Sequence, residues 1–161
     1  MSRLDVFIAR MTAQAKCLNW GAEEIRDLPG PVFELGLGNG RTYDHLRKLF
    51  PTREVIVFDR SGRSHPDCIP PEENLILGEV VESLEKAQSR FKGQVALVHA
   101  DIGNHDLAAN EALGRIISPL LVPLMRPKGI IVSTDRYYQD DWETLELPEG
   151  VDPVEGFLYR A

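Results

Sequence analysis

The chain has little cysteine, no basic cluster and no long apolar run. Its only cysteines, Cys17 and Cys68, supply neither a disulfide framework nor the close spacing of a metal site. No stretch approaches the roughly 20 apolar residues of a membrane-spanning helix, so no membrane partner is expected. Met1-Ser2-Arg3-Leu4-Asp5 lacks the basic head and apolar core of a secretory signal, which leaves the cytoplasm as the expected location. Lysine and arginine number 18 against 25 acids, a formal net charge of −7. Nucleic-acid binding needs a basic surface to meet phosphates, and the nearest candidate, Arg60, Arg63 and His65, reads as a solvated loop. No nucleic-acid partner is expected. Internal repeats and low-complexity tracts are absent.

What is present fits one globular domain over residues 1–161. Apolar residues make up 43% and charged residues 27%, ordinary values for a chain of this length with a real core. Its organising stretch is Val32-Phe33-Glu34-Leu35-Gly36-Leu37-Gly38-Asn39-Gly40-Arg41-Thr42. An apolar run ends in an acid, glycine falls on every second position, and a helical pattern follows. That sequence reads as a buried strand, a tight turn and a helix N-terminus. Glycine accepts positive φ and close approach, and the free N–H groups of the helix start favour an anionic or accepting group.

Upstream, Leu4, Phe7, Ile8, Met11, Ala15 and Leu18 carry the spacing of one apolar helix face. Residues 1–30 are thus a helical segment, packed on a sheet or capping a ligand. Downstream, Glu54–Asp59 is a β-branched run ending in an acid, and such a continuous run suits a parallel strand covered on both faces. Asp59 at its carboxyl end can accept two hydrogen bonds from a ribose diol, so an adenosine-type ligand is expected. Residues 60–73 contain Pro66, Pro70 and Pro71 and should form no crossover helix. Arg60, His65 and Cys68 in this loop are candidates to face the ligand.

A third strand over 74–79, a helix over 80–91, and a fourth strand over 94–101 follow. His99 lies two residues before Asp101, on the same side of the strand, and an imidazole of near-neutral pKa suits proton removal. A long helix spans 105–124. A turn then leads into a fifth strand, and residues 142–160 read as a closing hairpin.

Glu34-x-Gly36-x-Gly38-x-Gly40, followed in order by Asp59, Gly78-Glu79, Asp101 and the phrase Leu124…Pro127-Lys128-Gly129, resembles the class I S-adenosylmethionine-dependent methyltransferases. The resemblance runs from about residue 31 to 161. It implies an α/β fold with a seven-stranded, mostly parallel sheet of order 3-2-1-4-5-7-6, strand 7 antiparallel and helices on both faces. It implies S-adenosylmethionine as cofactor. Glu34, Gly36, Gly38 and Gly40 would hold its methionine part, Asp59 the ribose, and Gly78 and Glu79 the adenine, with Arg60 after Asp59 a further cofactor-binding candidate that could face the adenine. It places Asp101 beside the transferring methyl group, with His99 as a second catalytic candidate. Lys128 replaces a family glycine.

Methyl transfer from a sulfonium is an in-line displacement, so a protein mainly has to align donor and acceptor and exclude water. No nucleophile motif is needed, and none is seen. Metal-dependent relatives of this class use acids after the fourth and fifth strands with an adjacent asparagine. Asp101 and Asp135 match, but Arg136 stands where the asparagine would be and would repel a cation, so no metal is expected. The acceptor should be a small molecule or a protein, the small molecule favoured, with a self-associating surface as one way to complete its pocket. A binding module without catalysis and a nicotinamide oxidoreductase are the rival functions. The latter lacks a catalytic Tyr-x-x-x-Lys pair.

Overall fold

Three apolar runs are buried along their length: Val32–Leu35 (β1), Val55–Phe58 within Val55–Asp59 (β2), and Val95–Ala100 (β4). Strands of this kind need cover on both faces, and helices supply it. The computed structural model describes residues 1–161. The remaining elements are α1 (Arg3–Glu24), α2 (Arg41–Leu49), β3 (Leu75–Leu77), α3 (Val80–Phe91), α4 (Leu107–Leu121), β5 (Met125–Ser133), β6 (Glu143–Leu145) and β7 (Phe157–Arg160).

The strands form one seven-stranded sheet of order β3-β2-β1-β4-β5-β7-β6. β1 runs parallel to β2 and β4, and β7 is antiparallel to β5 and β6. This is the expected order. On one face Phe33, Leu35 and Phe58 meet Leu84 and Phe91 of α3 and Ile117 and Leu121 of α4. On the other, Val32, Val57 and Leu97 meet Leu18 of α1 and Tyr43 and Leu46 of α2. The strand order reverses between β1 and β4, where ligands of open parallel sheets collect at the carboxyl ends.

Two features of α1 shape this end of the sheet. The helix runs through Gly21, where a Cβ would stand 2.9 Å from Leu97 Cδ1, so the missing side chain lets α1 pack close on the sheet. Burial in α1 starts only at Ala13, and Leu4, Phe7 and Ile8 are 65%, 45% and 53% exposed. The first half of the helix, started by a Ser2–Asp5 capping box, therefore overhangs the sheet edge. As the prolines required, residues 60–73 hold only short 3-10 turns, Pro66–Cys68 and the start of Glu72–Asn74. Lys128, in the position of a family glycine, keeps a left-handed φ of 70°, a strain of about 1–2 kcal/mol for a residue with a side chain.

Candidate active site at the carboxyl ends of the strands

The glycine turn after β1 does two separate jobs. Gly36 (φ 89°) donates its N–H to Phe58 O at 2.8 Å, and a Cβ on it would lie 2.6 Å from Asp101 O. Its missing side chain lets the ends of β1 and β4 close together. Gly38 (φ 51°) has nothing within 4 Å of its Cβ position and stands at an open mouth. Gly40 (φ 79°) is different: it begins α2 and packs on Cys68, which a Cβ would strike. It is buried and lines none of the cavities described below.

Three cavities meet at this edge. One of about 410 Å³ lies over the ends of β1, β2 and β3 and is lined by Gly36, Gly38, Asp59, Arg60, Gly78 and Glu79, with Asp101 at its far wall. A second, of about 210 Å³, lies beneath α1 between Arg10, Gln14, Gly38, Arg41 and Asp101. The third, of about 500 Å³, is bounded by Asp101, His105, Thr134, Asp135 and Glu155. Asp101 borders all of them.

Its carboxylate is held from several sides. Arg10 of α1 forms an ion pair with it, Gln14 Nε2 donates at 2.9 Å, and Thr134 Oγ1 donates at 3.2 Å. Thr134 also reaches Asp135 at 3.3 Å, and Asp135 accepts from Asn110 Nδ2 at 2.9 Å. Arg136 lies with its guanidinium over the Tyr138 ring, 5.4 Å from the centroid. No group of three or more His, Cys, Asp or Glu side chains gathers as a metal cage.

Asp59 lines the 410 Å³ cavity while tying its own loop together. Its carboxylate accepts from the N–H groups of Leu37 (3.0 Å), Ser61 (2.9 Å) and Gly62 (2.8 Å) and from the Ser61 hydroxyl (3.2 Å). Partial burial works against ionisation, but these donors outweigh it and hold the carboxyl below its ordinary pKa. Asp59→Ala is therefore expected to lower the stability of the ligand-free protein by about 1–3 kcal/mol, read as the urea unfolding midpoint. An unchanged midpoint would show that these bonds contribute nothing net.

Glu34 and His99 sit away from the cavities. The register of β1 and β4 places them side by side, and both side chains are fully buried beneath α1 and α2. His99 Nδ1 is 2.6 Å from Glu34 Oε2, and Thr42 Oγ1 donates to Glu34 Oε1. Burial disfavours the imidazolium, but the charge and hydrogen bond of Glu34, with Asp101 behind, outweigh this and raise the pKa of His99 above its ordinary value. His99 is fully buried and lines none of the three cavities described above, and its Nε2 has no hydrogen-bond partner. α1 was expected to cap a ligand or pack on the sheet; what was not foreseen is the contribution of its Arg10 and Gln14, and of Thr134. Gln14 carried a signal: it is a polar residue on the face that buries Cys17, Leu18 and Gly21.

The sequence profile described as S-adenosyl-L-methionine methyltransferase matches residues 1–161. No curated protein sequence matches the chain. Among solved structures, an S-adenosyl-L-methionine methyltransferase from Silicibacter pomeroyi shares 48% identity, with 99% of this chain and 98% of that one covered and a TM-score of 0.94. A calicheamicin methyltransferase superposes at TM-score 0.61 with 14% identity over 89% of this chain and 76% of its own. A Podospora anserina methyltransferase bound to S-adenosylhomocysteine gives 0.56 and 15% over 89% and 76%. These last two share the fold. With its whole length matched by that profile and nearly half its residues shared with the bacterial enzyme, the chain belongs to the S-adenosyl-L-methionine methyltransferase family.

Proposed function

We propose that this methyltransferase acts on a small-molecule acceptor seated in the 500 Å³ cavity, with Asp101 orienting it or taking its proton. The carrying observation is the position of Asp101, shared by all three cavities. The residues of the 410 Å³ cavity fit the nucleoside part of the donor. Gly38 leaves open space at its mouth. Asp59 and Arg60 border the ribose side, and Gly78 with Glu79 the adenine side. Glu79 precedes α3 without using its carboxylate as a cap. Glu34, Thr42, His99 and Gly40 act indirectly, by fixing the turn and the start of α2 against the strand ends.

When bound, the donor supplies the methyl group, and the neutral thioether it becomes is the leaving group. The chain's own work is alignment and dehydration. An acceptor O–H or N–H placed at Asp101 can pass its proton to the carboxylate as the new bond to carbon forms. Thr134 and Gln14 keep that carboxylate fixed. Asp135 and Glu155 line the same cavity, and their charge opposes a polyanionic acceptor such as RNA. Both cysteines are free and no helix is long and apolar enough to cross a membrane; these support a cytoplasmic enzyme.

The test supplies donor carrying a deuterated methyl group to the protein with a dialysable metabolite extract, total RNA or total protein from one cell source. Label is expected in the dialysable fraction and not with Asp101→Asn. Label confined to RNA or protein would overturn the small-molecule assignment.

A further inference from the structure

Three carboxylates, Asp101, Asp135 and Glu155, line the 500 Å³ cavity against one guanidinium, that of Arg10. Two of the three are committed. Asp101 is paired with Arg10 and accepts from Gln14, and Asp135 accepts from Asn110 and Thr134. Glu155 is different. It lies just before β7, half-buried, and its carboxylate takes part in no hydrogen bond or ion pair within the chain. A cleft walled by one sign of charge concentrates the opposite sign, and a part-buried carboxylate is best matched by a cation that donates to it.

An independent feature lies at the lip of the same cavity. Leu107 and Val154 line it at 81% and 79% exposure, and among the large hydrophobic residues only Met1 is more exposed. Leu107 opens α4 and Val154 sits next to Glu155, and neither belongs to the apolar core on either face of the sheet. Apolar side chains held out of the core around a concave polar site fit a ligand with an apolar body.

Building on the acceptor seat proposed above, we infer that the acceptor is an amphipathic cation and that Glu155 is the residue that selects it. The ammonium or guanidinium group of the acceptor binds Glu155, its apolar body lies against Leu107 and Val154, and a separate O–H or N–H reaches Asp101. The transfer itself is unaltered. The C–S bond of the donor breaks with its electron pair on sulfur, the bond from carbon to the acceptor O or N forms, and the proton goes to Asp101. Glu155 touches no reacting atom, so its part is in binding alone.

The test divides a dialysable metabolite extract on a cation exchanger at pH 7. Retained and unretained fractions are each incubated with the protein and donor carrying a deuterated methyl group, and mass spectrometry reads labelled products other than the donor. Product is expected from the retained fraction alone. In a dilution series of that fraction, Glu155→Gln should raise the half-saturating amount about tenfold, the scale of a hydrogen bond to a charged group. The saturating rate and the affinity for S-adenosylhomocysteine should stay within about twofold, as loss of uniform binding requires. Val154→Ser, a change at the surface, should raise the half-saturating amount several-fold. Labelled product from the unretained fraction would overturn the cationic acceptor while leaving the small-molecule reading intact. A half-saturating amount that Glu155→Gln does not move would likewise overturn the selecting role of Glu155 alone. No labelled product from either fraction would overturn the small-molecule reading and this inference together.

Discussion

Asp101→Asn is expected to lower turnover about 100-fold or more, the contribution of a well-placed acid or base, while S-adenosylhomocysteine affinity stays within about twofold. The substitution keeps the size of the side chain and an oxygen that can accept from Thr134 and Arg10. It removes the charge and the basic site. The Arg10–Asp101 pair is part-exposed, 46% and 23% for the two side chains, so its loss should cost at most about 1 kcal/mol of stability. Label-transfer kinetics and calorimetry on the same preparation measure both quantities. Wild-type turnover, or collapse of donor affinity with turnover, would show that Asp101 does not serve the acceptor.

The second large effect lies in the core. Glu34→Ala should destabilise the protein by about 3–5 kcal/mol, because it strands His99 in a site with no exposure at all. Glu34→Leu combined with His99→Leu should recover most of that loss, since apolar replacement of a whole buried pair is often neutral. The pH dependence has a definite sign. His99 has a folded pKa raised above 6.5, so its contribution is complete below that value and is lost as pH rises through the folded pKa. In Glu34→Ala the buried imidazole loses the partner that offset its desolvation, its pKa falls, and stability should instead rise with pH. Urea midpoints at several pH values report the slopes. Equal slopes in wild type and variant would mean that the pair carries no proton on folding.

The strand order and the parallel core could be read from the chain because continuous apolar runs such as Val55–Phe58 and Val95–Ala100 require cover on both faces. The fate of Glu34 could not. A strand-end acid looks the same in sequence whether it faces a ligand or a neighbouring strand, and only the β1–β4 register brings His99 beside it. Gly40 repeats the point: the spacing of the turn asks for glycine, but what demands it is Cys68, brought close by a loop whose path the sequence leaves open. That Asp59 and Asp101 border cavities was legible, because open parallel sheets leave their crevices at the carboxyl ends of the strands. α1 was open between packing on the sheet and capping a ligand, and the one sign of how it does so, a glutamine in an apolar stripe, gains meaning once the helix is seen to overhang the turn. Leu4, Phe7 and Ile8 share that stripe's spacing, yet they extend beyond the sheet and remain exposed.

Thr134 stands between Asp101 and Asp135 with a single hydroxyl, 3.2 Å from one carboxylate and 3.3 Å from the other. A hydroxyl has one proton, so at any moment it can donate to only one of them and must turn a lone pair toward the other. The other carboxylate must then be satisfied elsewhere, and each has a second donor: Gln14 Nε2 at 2.9 Å for Asp101 and Asn110 Nδ2 at 2.9 Å for Asp135. The residue after β5 thus ties two neighbouring acids to one shared proton, so a change at either carboxylate is felt at the other.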